Sequence, residues 1–184
     1  MSAVTNDPAC VIEATEAWLD AAVIGLNLCP FAGPVRAQGR IGLSVSAARS
    51  VEALAEELWR ALDALVTTPR EQRETQLLVH PDVLTNFDDY LDFLALADDL
   101  LVEAGHEGVI QIASFHPDYC FADSEADDPA NFSNRSPYPM LHLLREASIA
   151  ELNLSENQSR QIYERNIQRL RALDEQSLKA LRPS

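Results

Sequence analysis

Three short apolar runs, separated by two long amphipathic segments, constrain this chain more than any other feature. Arg40 to Ser46 alternates apolar and small polar residues, while Gln76 to Pro81 and Gly108 to Phe115 are strand-like runs of buried character. Between the first two, Ser50 is placed to cap a helix whose Val51, Leu54, Leu58, Leu62 and Leu65 share one face until Thr67-Thr68-Pro69 stops it. Between the second two, Thr85 or Asn86 opens a helix that runs to Gly105. It turns Phe87, Tyr90, Leu91, Leu94 and Leu101 inward and Asp88, Asp92, Asp99 and Glu103 outward, with Asp98 projecting among the apolar side chains or reaching water at their edge. Connections of this length are what parallel strands require. The expected fold is therefore α/β, a single domain with a small, mainly parallel β-sheet of about three strands covered by helices.

The flanks follow from local chemistry. Asp7 and Pro8 predict a helix start, and Val11, Ile12, Thr15, Trp18, Leu19 and Ala22 carry its apolar face towards Gly25. Asn27 to Phe31 must then leave as a bend, because the residue before Pro30 is pushed out of helical geometry. Pro34 to Arg36 is expected to pair as a hairpin with the first strand through Gln38-Gly39. The C-terminal extension reads as helices, from Ser136 to about Leu152 and from Ser155 or Asn157 to about Leu181.

Charge excludes whole classes of partner. The formal net charge is -15, and between Arg73 and Arg135 there is no Lys or Arg although 14 of the 29 acids lie there. A surface that tracks phosphates needs clustered cations, so nucleic acid and anionic membrane are not expected partners. Three cysteines, odd in number and unevenly spaced, give no disulfide framework and fit a reducing, cytoplasmic setting. Glu13, Glu16 and Asp20 interrupt the N-terminal apolar segment, which is neither a signal-peptide core nor a membrane span. There is no internal repeat, no low-complexity tract and no glycine fingerprint for a nucleotide.

The candidate chemistry gathers between Val109 and Arg145. A loop of some twenty residues there is too long for a mere connection, and Tyr119, Phe121, Phe132 and Tyr138 argue that it packs. Two His-Pro-Asp strings, at His80 and His116, each follow a strand. If those strands are parallel neighbours, both imidazoles emerge together at the sheet's carboxyl edge, where α/β folds bind ligands. His116 is the expected acid/base with His80 beside it, or each ring merely caps a strand end through a carbonyl. Asn134, Arg135 and Ser136, at an expected helix start, form an anion anchor facing the same cavity, with Asn131, Tyr138, His142 and Arg145 as further ligand-binding residues. His142 and Arg145 would share a helix face; simple capping by Ser136 and salt bridging by the arginines is the plainer account. Cys29, on its bend, is a candidate nucleophile expected nearer the pocket than Cys10; Cys29 and Cys120 can equally be inert buried thiols. His80, His116, Asp118, Asp123, Asp127 and Asp128 could supply a mixed nitrogen and oxygen site suited to Zn, Mn or Fe, although they match no named metal-ligand spacing, and the sequence names no cofactor.

The string FHPDYCFADSEADDPANFSNRSPYPMLHLLRE, with Asn27-Leu28-Cys29-Pro30-Phe31 upstream, resembles an uncharacterised bacterial family, domain of unknown function 1415, over nearly the whole chain. That resemblance implies no activity and transfers no catalytic residue. From the residues, the leading expectation is a cytoplasmic small-molecule enzyme or binding protein whose His/Arg/Asn-lined pocket takes an anionic ligand. The alternatives are an interaction module using the aromatic loop and acidic surface, and a metal-dependent hydrolase.

Overall fold

The computed structural model describes residues 6–181. Helix α1 (Pro8–Trp18) continues into a π-helical stretch, Leu19–Ile24, and α2 (Ala32–Ala37) precedes strand β1 (Ile41–Val45). Then come α3 (Val51–Thr67), β2 (Thr75–Val79), α4 (Phe87–Glu103) and β3 (Ile110–Phe115). A loop with one 3-10 turn (Pro129–Ser133) leads to β4 (Met140–Arg145), α5 (Glu146–Glu151), α6 (Glu156–Arg171) and α7 (Glu175–Ala180). The α/β class and the strand, helix, strand, helix, strand order are as the periodicity predicts. Ser50 caps α3 through Ala53 N–H, and Asn86 caps α4 through the N–H groups of Asp88 and Asp89.

The sheet differs from expectation in one decisive way. Its order is β1-β2-β4-β3: β1 and β2 are parallel, and β4 lies between β2 and β3, antiparallel to both. β1, β2 and β3 thus run in one direction, but β2 and β3 are not neighbours and the sheet is mixed. The expected helix from Ser136 is corrected to β4 followed by the short α5. Met140-Leu141-His142-Leu143-Leu144-Arg145 is a run of apolar character whose period fits a buried strand as well as a helix, and Pro137 and Pro139 before it favour extended chain.

Alternation then sorts β4 between two cores. Leu141 and Leu143 join Leu78 and Ile110 beneath α3 and α4, where Leu54, Leu58, Leu62 and Leu65 are fully buried. Each of those leucines contributes roughly 1.5–3 kcal/mol. Met140 joins Leu77 and Val79 on the opposite face, against Val11, Trp18, Leu19 and Ala22 of the N-terminal helix. Strand β2 is buried at every position because it is central and covered on both faces.

Three smaller expectations are also corrected. Pro34 to Arg36 pair with no strand but lie in α2, which ends at a turn containing Gly39 at φ 66. Asp7 makes no side-chain cap. The last helix is two: Ser155 opens α6 with a reciprocal capping box to Gln158, and after a break Asp174 caps α7. Asp98 is exposed, the edge reading of that residue.

Candidate functional site

At the carboxyl ends of β2 and β3, His80 and His116 are both fully buried and both lie against Tyr90 of α4, with ring centroids 5.8 and 5.1 Å away. They gather despite the intervening strand because Tyr90 stands between them. Its hydroxyl accepts from Phe115 N–H at 3.0 Å and donates to Met140 C=O at 2.9 Å, bridging the β3–β4 seam.

Carbonyl partners fix the tautomers, since a carbonyl only accepts. His116 donates from Nε2 to Leu84 C=O at 3.2 Å, and its Nδ1 accepts from Asp118 N–H at 3.0 Å. Both of its nitrogens are engaged. His80 donates from Nδ1 to Val83 C=O at 3.0 Å, and its Nε2 lone pair is buried and meets no partner among the described residues. The two rings therefore hold adjacent carbonyls of one turn, in which Leu84 has the left-handed φ of 56°. Burial pushes the His80 imidazole down to about 4 and lowers His116 as well, so both are neutral at pH 7.

The residues expected to anchor an anion are spent inside the loop. Arg135 reaches Tyr119 C=O at 3.0 Å and Ala126 C=O at 2.7 Å, and stacks 5.0 Å from the Phe132 ring centroid. Asn131, fully buried, accepts from Phe121 N–H and donates to Glu125 C=O. Asn134 donates to Ser114 C=O, while its own carbonyl accepts from His116 N–H. Ser136 is buried and donates to Tyr138 C=O, and no helix begins there to offer free amides. Tyr138 packs in the core under α1.

His142 and Arg145, three apart on a strand rather than a helix, face opposite sides of the sheet. His142 Nε2 lies 2.6 Å from Thr75 Oγ, whose own proton goes to Leu143 C=O, so the imidazole is the donor. Burial pushes it, too, down to about 4. Arg145 uses one guanidinium nitrogen to hold the carbonyls of Leu65 and Thr68 at the end of α3 and of Arg73 just before β2.

The concave site lies beside this cluster. A cleft of about 360 Å³ opens between the Leu26–Phe31 bend, the end of β3, the long loop and α6. Apolar walls come from Val23, Leu28, Phe115, Phe121, Ile162 and Ile167. Polar groups come from Cys29, Ser133, Asn134, Ser159, Tyr163 and Asn166; no charged side chain among the described residues lines it. The bend that presents Cys29 turns at Asn27, φ 49°, and its exposed carbonyls are answered by α6. Arg169 holds Leu26 C=O and Asn166 holds Leu28 C=O, both at 2.7 Å, and Arg165 holds Asn27 C=O at 2.8 Å. Of the described C-terminal cations, Arg171 alone pairs with an acid of the chain's middle, Asp128.

Of the sequence-predicted residues, Cys29 and Asn134 line this cleft; His80, His116, Asn131, Arg135, Ser136, Tyr138, His142 and Arg145 do not. Cys10 is exposed on α1. The α6 contribution, Ser159, Ile162, Tyr163, Asn166 and Ile167, was missed as a site. The one signal for it was the Ile162, Asn166, Leu170 stripe, in which an amide occupies a position otherwise apolar. Among the described residues no three His, Cys, Asp or Glu side chains cluster closely enough to hold a metal ion. No described helix is long and apolar enough to cross a membrane.

A family model described as a protein of unknown function (DUF1415) matches residues 10–180. No curated protein and no solved structure matches the chain.

Proposed function

The chain belongs to the DUF1415 family, and we propose that it is a small-molecule binding protein or enzyme whose ligand is uncharged and enters the cleft at the Cys29 bend. The observation that carries this reading is the lining: three aromatic rings (Phe115, Phe121, Tyr163), four aliphatic side chains, and polar groups without a formal charge. Pockets of this size, mainly apolar with a few convergent polar groups, are where small ligands bind. A carboxylate or phosphate entering it would lose hydration with no cation among the described lining residues to replace it. The anionic ligand expected from sequence therefore loses its support, since Arg135 and Arg145 hold backbone carbonyls instead.

Any covalent chemistry falls to the Cys29 thiol, the strongest nucleophile among the lining groups. The buried imidazoles belong to the scaffold that holds the cleft's floor. A reducing, cytoplasmic setting fits three free thiols.

Alkylation tests the charge preference directly. Iodoacetamide and iodoacetate form the same thioether bond and release iodide, differing in charge. With rates at exposed Cys10 as the internal reference, the neutral reagent should be favoured at Cys29 several-fold more than at Cys10. Equal preference at the two thiols, or a preference for iodoacetate at Cys29, would sink the reading.

A further inference from the structure

On the opposite side of the sheet from α1, the outer surfaces of α3 and α4 leave a groove of about 300 Å³ that no described element covers. Its floor is apolar: Ala55 and the half-buried Trp59 from α3 meet Leu100 from α4. One turn before Leu100, Leu96 is 39% exposed. The rim is acidic. Helical spacing sets Glu52, Glu56 and Asp63 along the α3 side and Asp92, Asp99 and Glu103 along the α4 side, all exposed. Glu56 is answered by Arg60 and Asp63 by His106, whereas Glu52, Asp92, Asp99 and Glu103 have no cationic partner among the described residues. A half-buried indole in a shallow apolar groove is of the residue type that dominates interfaces.

We propose that this groove docks a basic amphipathic helix of another protein, its apolar face on Trp59, Leu96 and Leu100 and its lysines or arginines against the carboxylate rim. Charge complementarity selects that occupant. A second copy of this chain brings a net charge of -15 of its own. Its one arginine-rich helix, α6, is also committed: Arg165 and Arg169 to the Leu26–Asn27 carbonyls, and Arg171 to Asp128. The cleft at Cys29 plays no part in this surface, so the proposal stands apart from the ligand reading.

A helix in such a groove is recognised through anchors one and two turns apart, with flanking charge setting orientation and rate. The full chain is titrated with a synthetic Lys/Leu peptide of about five helical turns, patterned to be amphipathic. Two controls are a scrambled peptide of the same composition and a version with every Lys replaced by Glu. Amide resonances of Trp59, Leu96 and Leu100 should move with the amphipathic basic peptide alone. Leu96→Glu, at a partly exposed position that leaves the core intact, should weaken binding at least tenfold. The double change Asp92→Lys with Glu103→Lys should weaken it comparably and flatten its salt dependence. Equal binding of the scrambled peptide, shifts confined to other surfaces, or no binding would overturn the proposal. So would self-association that Leu96→Glu abolishes, which would make a second copy the occupant.

Discussion

His80 and His116 do the work of turn staples: each donates one N–H to a carbonyl of the Val83-Leu84 turn, and both pack on Tyr90. The pairing was legible from two His-Pro-Asp strings after two strands, but its cause was not. Shared contact with Tyr90 brings the rings together, whereas adjacency of their strands does not. A pH dependence follows. A base whose folded pKa is depressed leaves the unfolded chain to take the proton first, so its contribution to stability is whole above about 6.5 and is lost as pH falls towards 4. For His80 the loss is on the order of 3 kcal/mol across that window, at about 1.4 kcal/mol per pKa unit, and His142 adds a loss of the same sign. Urea unfolding followed from pH 7 down to pH 4 measures it, and His80→Gln should flatten the slope across that range. An unchanged slope would mean that His80 takes up its proton equally in the folded and the unfolded chain. Tyr90→Phe tests the other half of the cluster. It leaves Phe115 N–H and Met140 C=O without the bridging hydroxyl and should cost about 1–3 kcal/mol.

Strand β4 is the element that sequence reading missed, and it decides how the site is laid out. Helix and strand periods coincide over six residues of mostly apolar chain, so Met140 to Arg145 carried no local signal strong enough to separate them. The longer elements were legible because their evidence accumulates: α3 and α4 each span 17 residues with a capping side chain at the start. Misreading β4 as a helix also created the anion anchor, since free amides at Ser136 exist only if a helix starts there. As a strand, β4 sends Arg145 under α3, where its guanidinium answers three carbonyls. Arg145→Met should therefore destabilise the fold by about 2–3 kcal/mol, the cost of leaving such groups unanswered. It should leave alkylation of Cys29 unchanged. A loss of Cys29 selectivity in that variant would tie Arg145 to the cleft after all.

The whole molecule divides its surface between two chemistries. One side carries the acidic α3–α4 face, and the other carries a neutral cleft where four separate parts of the chain meet. The bend at Cys29 and Asn134 in the loop were legible as unusual local sequence. The α6 wall was not, because Ser159, Tyr163 and Asn166 are ordinary on a polar helix until the fold sets them against Leu28 and Phe115. Asn166→Ala should free the Leu28 carbonyl, loosen the bend and raise the rate of Cys29 alkylation while Cys10 keeps its own. The central claim is that the Cys29 cleft receives an uncharged ligand. It is tested most directly by crystals of the full chain soaked with ring compounds matched in size and differing only in charge. The account predicts density for neutral members between Phe115, Asn134 and Tyr163; density for anionic members in that cleft, or for neutral members only at other surfaces, would contradict it.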